Sequence, residues 1–445
     1  MKKLILIFLI SLPLRIVFGQ QSTTFIETDT ATFRAYINSD WNQIIELGKV
    51  AIRNEIDYYY LRLRMGYAHF MKTQYLLSIA HYKKALEFSN NDPVALEGLF
   101  YSYLYSGREN DAEKLVSDFP DALKVQLKKE DEKVFTNLGF FITTGSGGKN
   151  SLKDAIIITA PEDTDGSQVL PGSYMNYNLI LSHRIGRSII IHHNGHLLNK
   201  DEFVYSFISS VPYISGSQIV RQVNYHVSAD ITPMQGFTLS PIFSLINYRL
   251  PIFYEYGAGT GSDRNVYQYD YHNEKVLGLK GTLNAGLLSS SLTGTASGLN
   301  NSTQKTASAS VTYFPLGNLN LYFTANGYLH IQKQAGNSLD QKVLASKIGF
   351  SPMKHLWIEG YTTFGEFSNL YDPYSGITYN SPELYKNISS VSIIIPFYKS
   401  GISVFAGYRH QKSESAFIPS SDVFDLSNNK SFKYQSITIG MLWKI

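Results

Sequence analysis

From residue 133 onward the chain alternates with period two over segments of about ten to fifteen residues, and no other property restricts its fold so strongly. Across 318–332 one face carries Leu319, Leu321, Phe323, Ala325, Gly327, Leu329 and Ile331. The other carries Asn318, Asn320, Tyr322, Thr324, Asn326, Tyr328, His330 and Gln332. One face belongs in hydrocarbon and the other in water. The division recurs with Val223, Tyr225 and Val227 against Gln222, Asn224 and His226, and with Met175, Tyr177 and Leu179 against Asn176 and Asn178. Strands of soluble sheets average about five or six residues, whereas these suit a tilted crossing of a bilayer. A soluble sandwich with its aromatics in a core leaves the long polar face unexplained.

Connection lengths give an independent test. Fourteen such segments fit between residues 132 and 444, and their connections alternate. Tight ones fall at 185–186, around Pro233, at Ala285, and at 315–317, 352–354 and 397–399; most others are long and rich in Gly, Ser, Asn and Asp. Outer-membrane barrels have short periplasmic turns and long external loops. Fourteen strands therefore put both chain ends in the periplasm. Tyr313, Phe314, Trp357, Phe397, Tyr398 and Trp443 cluster near the tight turns, as expected of a headgroup-level aromatic belt. The expected fold is a membrane all-β protein, an antiparallel transmembrane β-barrel of about 14 strands over 132–445, preceded by a small all-α domain. The final strand carries Ile437, Ile439, Met441, Trp443 and Ile445 on one face, which resembles the C-terminal recognition signal of such barrels, with Ile445 in place of the usual Phe.

Composition agrees. Charged residues are 17% of the chain, against about 25% in typical soluble domains, while Tyr (32) and Phe (26) are abundant. Cysteine is absent, which excludes disulfides, thiolate metal sites and a lipid-modified N-terminal Cys. Residues 1–19 have the form of a secretory signal: Lys2 and Lys3, an apolar run broken by Pro13 and Arg15, and Val17 and Gly19 before a cut at Gln20. That run is too short for a membrane anchor. Removing it takes away Lys2, Lys3 and Arg15 from a formal charge of +3, so the mature chain is neutral and has no electrostatic case for nucleic acid.

Residues 31–117 have helical periodicity, and an offset of 34 aligns Trp41 with Tyr75, Gly48 with Tyr82, Ala51 with Ala85 and Ile52 with Leu86. The best unit places Gly66, Tyr67 and Phe70 on a first helix, Tyr75, Tyr82 and Ala85 on a second, and Pro93 past its end. It resembles a tetratricopeptide repeat, with Arg62 at the family's Trp position. Two to three units fit. They would dock a periplasmic protein or peptide, or act as a spacer sealing the barrel mouth. Residues 118–131 are a charged linker.

Lumen-facing polar candidates are Asn176, Asn178, His192, Asn194, His196, Gln222, Asn224, His226, Asn320, Asn326 and His330. His192 and His196 alternate along one strand but lack a third ligand, so neither a metal nor a cofactor is expected. Serines are plentiful, yet no spacing selects a nucleophile, and no catalytic residue is assigned. Residues 145–150, GSGGKN, are superficially similar to a phosphate-binding loop, but Asn150 replaces the metal-binding Ser or Thr and a loop is expected instead of a helix. The 254–272 loop carries Tyr254, Tyr256, Tyr267, Tyr269 and Tyr271 with Asp263 and Asp270, a set suited to stacking on sugar rings and accepting their hydroxyls, or else an extension of the outer aromatic girdle.

Short helical repeats feeding a C-terminal barrel resemble the YaiO-like outer-membrane family and, more distantly, the exporters of poly-N-acetylglucosamine. The first resemblance implies an outer-membrane location. The second implies repeats that gather polymer or partners and a barrel that passes polymer outward, so a glycan is the implied ligand class. The expectation is a non-enzymatic passive pore or export conduit, with outer-membrane lipid around the barrel. The alternatives are a non-conducting membrane-anchored scaffold and a lipid or glycan hydrolase. The state of the lumen depends on whether the loops at 145–171 or 367–384 fold inward.

Overall fold

The computed structural model describes residues 24–129, 134–157, 166–208, 211–254, 265–334, 337–381, 383–415, 417–419 and 430–445. The signal segment 1–19 lies outside them. The long strands of the first half are β1 (Phe135–Gly147), β2 (Gly166–Ile185), β3 (Ile189–Ile208), β4 (Val211–Met234), β5 (Phe237–Tyr254), β6 (Asn265–Ala285) and β7 (Leu288–Leu299). The second half comprises β8 (Ser302–Tyr313), β9 (Leu321–Gln334), β10 (Asn337–Met353), β11 (Leu356–Phe364), β14 (Leu384–Phe397), β15 (Ile402–Ser415) and β17 (Lys430–Lys444). Two three-residue strands, β12 (Leu370–Asp372) and β13 (Ile377–Tyr379), pair only with each other, and β16 (Phe417–Pro419) adds to the outer end of β2.

Every long strand pairs antiparallel with its chain neighbour, and β1 pairs with both β2 and β17. The β1–β17 register runs from Asn137 opposite Lys444 to Gly147 opposite Tyr434. Fourteen strands thus close into a barrel without a free edge, the one sheet form that satisfies its backbone in lipid. The outward rows are apolar and open to the surroundings: Leu277, Leu292 and Leu344 are 60%, 72% and 65% exposed. Inward neighbours such as Gln304, His330 and Gln332 are buried.

All fourteen expected strands are present, but several run further at the long-loop end. β2, β3 and β6 are 20, 20 and 21 residues long, against the ten to fifteen expected. Above the hydrocarbon both faces of a hairpin meet water, so the alternation that marks the transmembrane part is lost while backbone pairing continues. The tyrosine segment is corrected accordingly. Tyr254, Tyr267, Tyr269 and Tyr271 stand in β5 and β6, with Pro251 opposite Tyr269 and Arg249 opposite Tyr271; Tyr256 lies outside the described residues. Residues 145–147 end β1, and a short helix, α8 (Lys149–Asp154), follows where a loop was expected. Ala155, just after it, packs with Leu170, Phe432 and Tyr434.

Among the described residues seven α-helices precede the barrel: α1 (Phe25–Ile37), α2 (Trp41–Arg53), α3 (Tyr59–Met71), α4 (Tyr75–Phe88), α5 (Pro93–Tyr105), α6 (Glu109–Leu115) and α7 (Asp121–Gln126). They start earlier than residue 31 because Thr24 and Glu27 form a reciprocal capping box. α7 makes part of the expected linker helical. First helices begin at Phe25, Tyr59 and Pro93 and second helices at Trp41, Tyr75 and Glu109, in each case 34 residues apart. Pro93 is the first residue of α5, behind the Asp92 cap, so it opens the third unit and does not trail the second. The Tyr82 ring lies between Gly66 and Gly98. A Cβ on Gly66 would meet it at 3.0 Å, and one on Gly98 would overlap it, so only glycine admits the ring at both helices.

The helices sit on the short-turn end of the barrel. Leu76 N–H donates to Gly317 O (2.8 Å), Asn318 Nδ2 to Thr73 O (2.9 Å), and Tyr103 Oη to Gln235 (2.9 Å). Asp111, buried and paired with Arg108 at 2.7 Å, accepts the Gly236 N–H at 2.6 Å. Gly236 has φ +90°, which presents that N–H to the helix at a turn other residues adopt poorly. Arg187 reaches Lys129 O and Glu113, while Lys444 pairs with Glu109. Leu287 and Phe314 from two further turns pack against the helical core. No hydrogen bond or ion pair among the described residues ties the helices to the β10–β11 or β14–β15 turns.

Candidate functional site

The β11–β14 connection, 366–383, folds into the barrel. Phe367 forms a backbone bridge with Tyr385, and β12 and β13 make a small hairpin inside the lumen. Phe367, Leu370 and Tyr379 pack against inward-facing Val343, Ala345 and Ile388. Tyr371, 1% exposed, enters a second apolar cluster with Ile242, Ile246, Val276 and Leu299. Polar contacts reach around the wall. Asn369 donates to Gln332 (3.2 Å), Asn300 to Asn369 (2.6 Å) and to Asn380 O (2.8 Å), Asn380 to Gln222 (3.2 Å) and Glu274 (3.3 Å), and Tyr328 to Asp372 (2.9 Å). Of the two loops that could occlude the lumen, 367–384 folds inward.

The structure brings most of the sequence-derived lumen candidates together. Asn178 on β2, His196 on β3 and Asn224 on β4 stand directly opposite one another across three strands, with Asn194 opposite His226 in the next row. Asn176 and Asn178 both turn their amide nitrogens to His196, at 3.2 to 3.3 Å. These residues, with Gln222, line a cavity of about 470 Å³ between the hairpin and the wall formed by β1 to β4, β15 and β17. His226 lies near its edge, where Nδ1 meets Ser244 (2.8 Å) and the Tyr371 hydroxyl (3.1 Å).

The remaining candidates are elsewhere. His330 is buried against Thr306 (2.8 Å) on the opposite wall, and Asn326 lines a different cavity of about 540 Å³ nearer the short-turn end. Asn320 is corrected: it is exposed in the turn before β9, because the strand starts only at Leu321. Tyr269 carries Arg249 over its ring at 4.5 Å, and Tyr271 is 67% exposed outside the wall. Neither belongs to the lumen cavity.

His192 joins no metal set, and among the described residues no cluster of three such ligands exists. It belongs to a chain missed in the sequence: Ser182 Oγ donates to His192 Nδ1 (2.9 Å), His192 Nε2 to Asp230 (3.4 Å), and Ser240 to the other Asp230 oxygen (2.6 Å). The residue types are those of a hydrolytic triad. Ser182, however, is 2% exposed, so its hydroxyl does not open onto solvent. Sequence reasoning also missed Arg409 and Tyr379, which line the 470 Å³ cavity from β15 and the hairpin. Period two places Arg409 on the inner face of its strand, but nothing in the sequence says that the hairpin comes to meet it.

No protein-family model matches the chain, and no curated protein matches it. Solved structures similar to it include a deletion mutant of the TodX monoaromatic hydrocarbon channel (TM-score 0.44, 8% identity, 72% of this chain and 92% of that one). A Pseudomonas aeruginosa FadL homologue gives 0.40 and 9%, over 80% and 94% of the two chains. The translocator domain of the autotransporter NalP from Neisseria meningitidis gives 0.31 and 10%, over 77% and 99%.

Proposed function

We propose that this chain is an outer-membrane channel held shut by its own 366–383 hairpin, with the N-terminal helices on the periplasmic side serving as a docking platform for a protein or peptide partner. The observation that carries the reading is a polar-lined fourteen-strand lumen blocked by a surface loop and not by packed wall side chains. A barrel of this size exceeds the roughly eight strands that side chains alone can fill. Most hydrogen bonds holding the hairpin join neutral amides and hydroxyls, which water replaces at small net cost. On the short-turn side the helices leave the β10 to β15 sector untied, and the 540 Å³ cavity lined by Trp357, Glu359 and Pro396 lies there. That sector offers the exit.

Planar-bilayer recording tests the reading. The wild-type protein is expected to be mostly closed, and a variant with 370–379 replaced by a Gly-Ser linker to conduct steadily. The near-complete burial of Tyr371 and Phe367 favours a second reading, a non-conducting anchor for the helices. A folded but silent linker variant would select it. Docking is tested separately by photo-crosslinking from Tyr36, which is exposed beside Trp41 and Tyr67 in the first repeat.

A further inference from the structure

We infer that the 470 Å³ lumen cavity beside the hairpin binds a sugar acid, a molecule with one carboxylate and several hydroxyls. The site lies on the proposed transport path and takes its role from that reading, but occupancy is measurable whether or not the barrel conducts.

Two cations line the cavity, and they differ in one respect. Lys200 is matched by Glu202 at 3.2 Å and Glu383 at 3.9 Å. Arg409 has no carboxylate within ion-pair distance among the described residues. Its guanidinium lies 5.3 Å from the centre of the Tyr379 ring, one terminal nitrogen donates to the Tyr379 hydroxyl at 3.0 Å, and Nε is buried without an acceptor. A guanidinium cannot shed its proton, and a charge held away from water requires a counter-charge. Its planar fork matches a carboxylate or a phosphate oxygen pair. Lys200 and Arg409 are balanced in number by Glu202 and Glu383, so the surroundings of the cavity are neutral overall, and a singly charged carboxylate on the unpaired guanidinium is accommodated at lower cost than a doubly charged phosphate.

The wall formed by β2, β3 and β4 supplies the second half of the recognition. Asn178, Asn194 and Asn224 each hold a buried side-chain oxygen that no protein group donates to. Asn178 has committed its nitrogen to His196, so what it offers the cavity is an acceptor. Acceptors call for hydroxyl donors, and an apolar ligand would leave each of them unpaired. A lone cation together with a panel of vacant acceptors describes a hydroxylated carboxylate. The volume falls within the roughly 300–1,000 Å³ typical of small-molecule sites.

Calorimetry on the full-length detergent-solubilised protein decides the matter, with D-glucuronate, D-glucose, acetate and inorganic phosphate as probes. Glucuronate is expected to bind saturably at one site, with the other three at least tenfold weaker. Arg409→Gln should bring glucuronate down to the level of glucose; Asn224→Ala should weaken glucuronate several-fold without changing acetate. Heat-shifted gel mobility reports whether each variant is folded, and Asn224→Ala carries the test if Arg409→Gln is not. Equal affinity for glucose, tighter binding of phosphate, or undiminished glucuronate binding by folded Arg409→Gln would overturn the proposal. So would the absence of saturable heat in both the wild type and Tyr371→Ala, which loosens the hairpin. Binding without conductance would remove the channel and leave the site.

Discussion

Tyr371 offers the most direct handle on the closed state. Its ring is the part of the 366–383 hairpin that enters the apolar cluster of Ile242, Ile246, Val276 and Leu299, and its hydroxyl meets His226 at 3.1 Å. Truncating a fully buried aromatic residue to alanine costs about 3–5 kcal/mol, from lost transfer energy and the cavity left behind. That loss falls on the closed form alone, since a hairpin swung into water has already given up the contact. At about 1.4 kcal/mol per factor of ten, Tyr371→Ala should raise the open-to-closed ratio by roughly two to three and a half orders of magnitude. Single-channel recording reads the ratio as open probability at fixed voltage. Tyr371→Phe, which keeps the ring and removes only a hydrogen bond worth about 1 kcal/mol, should give less than tenfold. A folded Tyr371→Ala barrel with unchanged open probability would refute hairpin gating, as would a wild type that is open most of the time.

Two further predictions concern the helical domain. His69 and His81 stack at 5.1 Å, burial lowers both pKa values, with His81 down to about 3, and Arg62 donates to His81 Nδ1 at 3.3 Å, which requires that nitrogen unprotonated. Because the folded values lie below the unfolded one near 6.5, the unfolded chain takes up protons first; stability is complete above about pH 6.5 and declines below it, for His81 toward pH 3 by up to about 1.4 kcal/mol per pH unit, with His69 acting in the same direction. The helical circular-dichroism melting midpoint of the whole protein should therefore fall between pH 7 and pH 5, and fall less in His81→Asn; identical slopes would count against it. Asp111→Ala strands the buried Arg108 charge and removes the acceptor for Gly236 N–H, at a cost of about 3–5 kcal/mol. The helices should become protease-sensitive while the barrel keeps its heat-shifted mobility, and unchanged protection would show that the Gly236 contact does not hold the domain.

Alternation fixed by lipid on one side is legible residue by residue, which is why each expected long strand is present and Leu329 and His330 point to opposite sides as read. The same logic fails where lipid ends. Tyr269 and Tyr271 extend a hairpin in water, and nothing in their order distinguishes strand from loop. The 34-residue offset is the spacing of the helix pairs, whereas the side of the boundary on which Pro93 falls is decided by the Asp92 cap, which the offset does not reveal. The candidate site was half visible. Asn176, Asn178, Asn194, His196, Gln222 and Asn224 share a face by parity alone and meet in one cavity, whereas Arg409 joins them only because barrel closure and an inward hairpin bring distant segments together. Contacts across a cylinder's diameter have no local periodicity to record them.

The seam between β1 and β17 joins segments almost three hundred positions apart, so the wall is completed only after the last strand has been delivered. The helices touch both sides of that junction, reaching the β2–β3 turn through Glu113 and the end of β17 through Glu109. A half-assembled cylinder, its first and last staves still separated, cannot offer both footholds at the correct spacing. Full seating of the N-terminal domain on both footholds therefore requires the closed cylinder.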